Sequence, residues 1–192
     1  MAMPAQELHA RRRRWTLADV AALPDMPGRL RELIDGELIV SPGPAVRPQR
    51  IVAVIMEVLG RFSRDHGIGF MIGGPADVVI AAETLVQPDV LVAPLTNGTL
   101  PNDWDEMRQP LLVVEVLSPS SIRRDRVTKR ALYARLGIEY WVVDPEKRIF
   151  ERYMPETIQP ELYEKTITWS PDGSSATLEI DIPALFAAAL FE

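Results

Sequence analysis

The segment LLVVEVL, residues 111–117, constrains the fold of this chain more than any other part of the sequence. Its nearly continuous apolar run is typical of a central β-strand that is buried on both faces. Ser118 and Pro119 end this strand, and the pattern that follows predicts a helix over residues 121–136, closed by Gly137. A buried strand that leads directly into a helix indicates a layered domain of sheet and helices.

The rest of the chain predicts further elements around this strand. Thr16 and Asp19 resemble a capping box, which predicts a short helix over about 17–23. The pair Asp35-Gly36 lies between two alternating apolar stretches and predicts a hairpin. We also expect a helix from about 48 to 66, strands in FMIGG, ADVVIAA and QPDVLVAP, a hairpin of EYWVVD and RIFERY, weaker strands near 161–168 and 176–181, and a helix over 183–190.

This order predicts one α/β domain over residues 15–192, with a mixed central sheet flanked by helices and a hairpin before it. Residues 1–14 end in four arginines, and we expect them to form a disordered basic tail. No apolar segment is long enough for a membrane span or has the form of a secretory signal. The sequence therefore predicts a soluble, cytoplasmic protein.

The composition excludes several kinds of chemistry. The chain has no cysteine and two histidines, His9 and His66. A disulfide scaffold, a thiolate zinc site and thiol catalysis are excluded, and little remains for a histidine-based site. The net charge of −6 does not suggest a nucleic-acid binder, although basic residues concentrate at 11–14 and 123–135. Any reaction must use carboxylates, lysine, arginine or hydroxyl groups.

Two acidic residues stand in strongly apolar segments. Asp89 follows Pro88 and opens DVLVAP, and Glu115 lies in the middle of LLVVEVL. An ionised carboxylate in a buried strand is costly unless it is paired, hydrogen-bonded or bound to a metal. A single such acid could equally face a partly wet edge or pair with a core arginine. Two of them favour a shared site, although their spacing alone does not show that they meet.

The helix after Glu115 contains the third candidate. Asp125, Lys129 and Tyr133 are four residues apart and share one face. A solvated face with an Asp–Lys pair, worth about 0.3–0.5 kcal/mol, also explains this spacing. Nearly all other basic residues are arginines, and this favours a specific role for Lys129 because lysine can shift its pKa and act on a water.

In this order, PDVLV, VVEVLSPSS and RDRVTKRALYARLGIEYWVVDP resemble the Uma-type (Uma-two) family of the PD-(D/E)XK nuclease superfamily. The resemblance covers about residues 30–153. It implies a restriction-endonuclease-like core and an endonuclease activity.

The resemblance also implies roles for individual residues. Asp89 corresponds to the aspartate of the PD motif and Glu115 to the second acid. The usual lysine would fall on Leu117, and Lys129 takes its place on the following helix. Glu37 matches a recurrent acid. Many relatives carry a histidine early in the first long helix, where this chain has Pro48, Gln49 and Arg50 instead.

Phosphodiester hydrolysis needs charge neutralisation and an activated water, and oxygen ligands favour Mg²⁺ or Mn²⁺ for both tasks. We expect Asp89, Glu115 and the backbone carbonyl of Val116 to hold the metal. Lys129 would orient or help to deprotonate the water. Glu37 and Asp125 are accessory candidates. The candidates for phosphate binding, which a solvated helix face would also explain, are Arg50, Arg123, Arg124, Arg126 and Arg130.

Two functions of different classes remain open. The first is a Mg²⁺-dependent endonuclease that acts on nucleic acid, DNA rather than RNA, with a homodimer suited to cutting both strands. The second is a non-catalytic interaction module that retains the fold. Convergence of Asp89, Glu115 and Lys129 in the folded protein favours the first.

Overall fold

The computed structural model describes residues 13–192, so residues 1–12 of the predicted tail lie outside the described part. Arg13 forms an ion pair with Asp19 at 2.9 Å, and its guanidinium lies 4.3 Å from the ring centroid of Trp15. The predicted capping box is confirmed, because Thr16 and Asp19 exchange hydrogen bonds at the start of α1 (Leu17–Ala21). This segment packs onto the first strand of the domain.

The predicted hairpin is confirmed and belongs to a four-stranded antiparallel sheet. Strands β1 (Arg29–Ile34) and β2 (Glu37–Pro42) pair in full register. Asp35 and Gly36 connect them with φ values of +51° and +79°, as a tight hairpin turn requires. The sheet is completed by β4 (Val78–Ala81) and β5 (Thr84–Val86), in the order β2-β1-β5-β4.

The central sheet has six strands in the order β10-β9-β8-β7-β6-β3. Strand β7 (Leu112–Val116) is buried at all five positions, which confirms the prediction of a central strand. It pairs in parallel with β8 (Glu139–Asp144), while the other pairs are antiparallel, so the sheet is mixed. The other strands are β3 (Phe70–Gly73), β6 (Val90–Ala93), β9 (Ile149–Tyr153) and β10 (Glu161–Tyr163).

The connection between β7 and β8 is helical. It contains a π-helical turn, Arg124–Lys129, which continues directly into α3 (Arg130–Arg135). Gly137 follows with φ +69°, in agreement with the predicted helix end. A short 3₁₀ turn, Trp104–Glu106, precedes β7.

Two apolar layers cover the central sheet. One face of β7 packs against α2 (Val46–Asp65), α4 (Ile182–Leu190) and the ribbon of β11 (Thr166–Trp169) and β12 (Leu178–Asp181). The opposite face, with Val113 and Leu117, packs against the helical connection and residues of the four-stranded sheet. Because side chains alternate along a strand, Glu115 projects into this second layer. No helix of residues 13–192 has the length and apolarity that a membrane crossing requires.

Candidate functional site

The strand pairing brings Asp89 and Glu115 together. Val90 pairs with Val114 in the antiparallel register of β6 and β7, and one further step places Asp89 opposite Glu115. Directly opposite residues project from the same face with Cβ atoms about 5 Å apart. The Asp89 Oδ2 atom accepts a hydrogen bond of 2.7 Å from the Val116 backbone N–H. The two acids therefore lie side by side at the end of adjacent strands.

Lys129 completes this group from the helical layer. Its Nζ atom lies 2.6 Å from Glu115 Oε1 and 2.8 Å from Glu32 Oε1. The Lys129 side chain is only 1% exposed, so the interpretation of this helix face as solvated is wrong. Its carboxylate partners explain how the charge is tolerated, because a buried ammonium is stable only when it is paired.

Glu32 is a member of the site that the sequence reasoning missed. It lies on β1, in the other sheet, and is 2% exposed. Its Oε1 atom also accepts a hydrogen bond of 2.8 Å from the Gln87 backbone N–H, two residues before Asp89. Leu30 and Ile34 are apolar and project from the same face of the strand as Glu32. This pattern is the feature of the sequence that could have indicated a buried acid.

Glu37, predicted as an accessory acid, lies at the hairpin turn, and its role stays a prediction. It is the first residue of β2, next to the hairpin turn, and it is exposed. In the hairpin register Glu37 pairs with Ile34, the last residue of β1. Glu32, on the same hairpin, is buried and contacts Lys129 at 2.8 Å.

The π-helical turn presents the remaining charged groups. Asp125 is buried, and its carboxylate Oδ1 accepts a hydrogen bond of 3.1 Å from Arg124 Nε. The backbone carbonyl of Asp125 accepts a hydrogen bond of 3.2 Å from the Tyr140 hydroxyl. Such π-helical turns are uncommon and occur frequently at functional sites. This turn places Asp125 and Lys129 on the buried side of one helix.

The predicted phosphate-binding arginines divide into two groups. Arg50 and Arg123 are exposed, as phosphate contacts require. Arg124 is held in the site, 3.6 Å from Glu32, and Arg130 donates a hydrogen bond of 3.1 Å to the Ile158 carbonyl. The assignment of Arg126 to phosphate binding needs correction.

Arg126 binds protein carboxylates on both sides. It bonds Asp144 at 2.7 Å, and its Nε and a terminal nitrogen bind Glu151. Both carboxylates are buried, and the Tyr153 hydroxyl donates a further hydrogen bond to Glu151. Arg126 therefore fastens the π-helical turn to the β8–β9 hairpin.

Arg126→Ala is expected to lower the free energy of unfolding by about 2–3 kcal/mol, because it leaves two buried carboxylates without their cation. Urea unfolding at pH 7 measures the change, with Arg123→Ala as the exposed control on the same helix. Equal stability of the two variants would contradict the assignment of Arg126 as a structural anchor.

Burial dominates the electrostatics of the site. It raises the pKa of Asp89 to about 6, against the opposing effects of the Val116 hydrogen bond and of Lys129. Burial also raises the pKa of Glu115 well above its usual value. For Lys129, burial favours the neutral amine, but Glu115 and Glu32 outweigh it and hold the pKa well above the usual value. The paired carboxylates therefore favour the ammonium form of Lys129, which can donate hydrogen bonds but cannot accept a proton from water.

Asp89→Asn is expected to stabilise the metal-free protein more at pH 6.5 than at pH 4. The folded pKa of Asp89, about 6, exceeds the reference value of 3.8, so the folded state binds more protons in this interval. The stability gained by protonation is lost as the pH rises towards 6, and asparagine has no such loss. Urea unfolding of both proteins in EDTA at pH 4, 5 and 6.5 measures the difference; a pH-independent difference would contradict the raised pKa.

Asp89 and Glu115 carry carboxylate oxygens, the type of ligand that hard divalent cations prefer. Lys129 and Arg124 are the cations that contact this cluster, which is formed by the carboxyl groups of Glu32, Asp89, Glu115 and Asp125. Within residues 13–192, no three carboxylate or histidine side chains are arranged around one point as a complete metal site. A cation bound by Asp89 and Glu115 would therefore need backbone oxygens and waters to complete its coordination, as Mg²⁺ commonly does.

Comparisons with known proteins agree with this architecture. The family Uma2, described as "Putative restriction endonuclease", matches residues 17–189. A comparison with curated proteins finds no significant match. Among solved structures, the chain is similar to an Anabaena variabilis protein described as "a putative nuclease belonging to DUF820", with a TM-score of 0.72 and 22% sequence identity, over 91% of this chain and 98% of the other. The α/β fold predicted from the sequence is confirmed, and the chain belongs to the Uma2 family.

Proposed function

We propose that this protein is a metal-dependent nuclease that hydrolyses phosphodiester bonds through Asp89, Glu115 and Lys129. The observation that carries the proposal is that side chains from three separate segments of the chain lie next to one another. Asp89 and Glu115 are cross-strand neighbours, and the Lys129 ammonium lies 2.6 Å from the Glu115 carboxylate. Membership in the Uma2 family supports the same reaction class.

Asp89 and Glu115, with the Val116 carbonyl, would hold Mg²⁺ or Mn²⁺. When bound, such a cation neutralises phosphate charge and lowers the pKa of a coordinated water. Asp89 is the partly exposed member of the pair, so the phosphate approaches from its side. The Val116 N–H fixes the Asp89 carboxylate in orientation.

The Lys129 ammonium supplies a fixed positive charge behind the carboxylates. Glu32 and Glu115 hold it in place, so no reorganisation is needed when negative charge develops on the phosphate oxygens. Asp125 and Arg124 extend this network to the helix. DNA is the substrate that the family description favours, and a homodimer would present two such sites to the two strands.

A nuclease assay tests the proposal. Supercoiled plasmid, linear duplex, single-stranded DNA and structured RNA are incubated with the purified protein in Mg²⁺, Mn²⁺ or EDTA. We expect cleavage of at least one substrate with either cation and none in EDTA. Cleavage that persists in EDTA, or the absence of cleavage of every substrate, would reject a metal-dependent nuclease.

A second function, a non-catalytic interaction module, is favoured by one observation. Leu117 occupies the position of the superfamily's usual lysine, and its side chain is buried in the apolar layer. Copurification of a stoichiometric protein partner, together with no cleavage of any substrate, would favour this alternative.

A further inference from the structure

Tyr133 shares one helix face with Asp125 and Lys129, and the mechanism proposed above assigns it no role. It lies on α3, one helical turn after Lys129, and its side chain is 0% exposed. Within residues 13–192 its hydroxyl oxygen has no hydrogen-bond partner. Buried polar groups nearly always have a partner, and leaving one without a partner costs stability. A phenylalanine would fill the same space without that cost, so the hydroxyl calls for an explanation.

The position of the Tyr133 ring directs its hydroxyl towards the charged group. The ring packs against the ring of Tyr140, with the two centroids 4.8 Å apart. The Tyr140 hydroxyl donates to the Asp125 backbone carbonyl at 3.2 Å and thus has its own partner. Long side chains on a helix lean towards its N-terminus, over the residue four positions earlier. The Tyr133 side chain therefore leans over the turn that carries Lys129.

The charges of the site act on Tyr133. Burial raises the pKa of Tyr133 well above its usual value, the Lys129 ammonium opposes this, and the Glu115 and Glu32 carboxylates add to it. The hydroxyl is therefore protonated, and it can donate one hydrogen bond and accept others. Its surroundings include the ion pairs of the candidate site as well as the apolar side chains of the same layer.

The Lys129 ammonium has the capacity for one more partner. An ammonium carries three N–H donors. The described part of the chain provides it with two carboxylates, Glu115 at 2.6 Å and Glu32 at 2.8 Å. Buried waters typically make about three hydrogen bonds, to polar groups that otherwise lack a partner. The third N–H of Lys129 and the Tyr133 hydroxyl are two such groups, and they lie one turn apart on the same buried helix face.

We propose that one ordered water bridges the Tyr133 hydroxyl and the Lys129 ammonium, and that Tyr133 thereby positions Lys129 against Glu115. The water oxygen accepts hydrogen bonds from both groups, and its own hydrogens can donate to the carboxylates of the cluster. With three partners the ammonium keeps one orientation, so its charge is in place before negative charge develops on the substrate. The positioning role rests on the proposed nuclease function, whereas the water site does not.

A crystal structure of the full chain in EDTA, at a resolution that shows ordered water, tests the site directly. We expect a water within about 2.7–3.2 Å of both Lys129 Nζ and Tyr133 Oη, and its loss in Tyr133→Phe. Ordered Lys129 and Tyr133 side chains with no water between them would overturn the proposal. A direct hydrogen bond from the Tyr133 hydroxyl to a protein atom would overturn it as well.

Urea unfolding tests the same bridge through stability. Tyr133→Phe should raise the equilibrium constant for unfolding about fivefold, the effect of one net hydrogen bond. The control is Tyr153→Phe, because this buried tyrosine of the same layer donates its hydroxyl hydrogen bond to Glu151. A Tyr133→Phe protein that is as stable as wild type, or more stable, has lost no hydrogen bond and contradicts the bridge.

A double-mutant comparison shows whether the bridge depends on the ammonium. In a background that carries Lys129→Met, Glu32→Gln and Glu115→Gln together, Tyr133→Phe should change the unfolding constant less than twofold. Tyr153→Phe should have the same effect in this background as in wild type. An unchanged effect of Tyr133→Phe would show that its hydroxyl does not act through Lys129.

Single-turnover cleavage tests the positioning role. Tyr133→Phe should lower the rate at saturating DNA at least tenfold and leave the DNA concentration for half-maximal rate unchanged, because the hydroxyl does not contact the substrate. Tyr153→Phe should cleave at the wild-type rate. Equal rates for Tyr133→Phe and wild type, or equal losses in both variants, overturn the positioning role. If wild type cleaves no nucleic acid, the nuclease and this role are both rejected, and the crystal structure alone decides the water site.

Discussion

Asp89→Asn should reduce cation-dependent cleavage by about a thousandfold or more while the chain remains folded. The substitution preserves the shape of the side chain, and the amide oxygen can still accept the hydrogen bond from the Val116 N–H. It removes one of the two anionic ligands that the proposal assigns to the metal. A bound cation contributes several kcal/mol to transition-state stabilisation, and about 4 kcal/mol corresponds to a thousandfold change in rate.

Single-turnover cleavage rates of wild type and variant at saturating Mg²⁺ measure this loss. Asp172→Asn, an exposed aspartate in the loop before Gly173, is the matched control and should cleave at the wild-type rate. Thermal unfolding of both variants checks that they are folded. A rate for Asp89→Asn within a factor of ten of wild type would reject Asp89 as a metal ligand.

Lys129→Met should lower the free energy of unfolding by about 3–5 kcal/mol. Methionine retains most of the side-chain volume, so the loss comes from charge and not from a cavity. Without the ammonium, the buried Glu115 loses its cationic partner, and the buried Glu32 keeps only Arg124 at 3.6 Å. An uncompensated buried charge is among the most destabilising changes that one substitution can cause.

Urea unfolding at pH 7 measures the effect, with the exposed Lys165→Met as the matched control. Adding Glu32→Gln and Glu115→Gln to Lys129→Met should recover most of the lost stability, because the buried charges are then removed together. The triple variant should still fail to cleave. If Lys129→Met alone is as stable as Lys165→Met, the buried ion-pair network does not hold the site as described.

The sequence predicted the parts of the fold that depend on local pattern. The run LLVVEVL predicts the central strand because a strand buried on both faces consists mainly of apolar residues. The pair Asp35-Gly36 predicts the hairpin because its tight turn needs residues that adopt positive φ. The pairing of strands that are distant in sequence is not local. Leu33 pairs with Leu85, about 50 residues away, and no pattern within either segment specifies that partner.

The sequence likewise predicts some residues of the candidate site and not others. Asp89 and Glu115 are predicted from the sequence because each stands in an apolar segment, and Lys129 because it is a lysine among arginines. Glu32 and Arg31 are neighbouring charged residues on one hairpin strand. Whether the Glu32 side chain is buried depends on the layer that packs against its face of the strand, and the local sequence does not specify that layer. The roles of Arg124 and Arg126 could not be separated either, since a run of basic residues does not show which carboxylates face each one.

The contact between Glu32 and Lys129 joins residues that are about 100 positions apart in the chain. Closing a loop of this length costs conformational entropy, which the rest of the fold must offset. On a ribosome, Glu32 emerges well before the helix that carries its partner. A partly synthesised chain that ends before this helix therefore has both strand acids but no ammonium between Glu115 and Glu32. Under the proposed function, a chain that ends before this helix would lack the Lys129 ammonium and would not cleave nucleic acid.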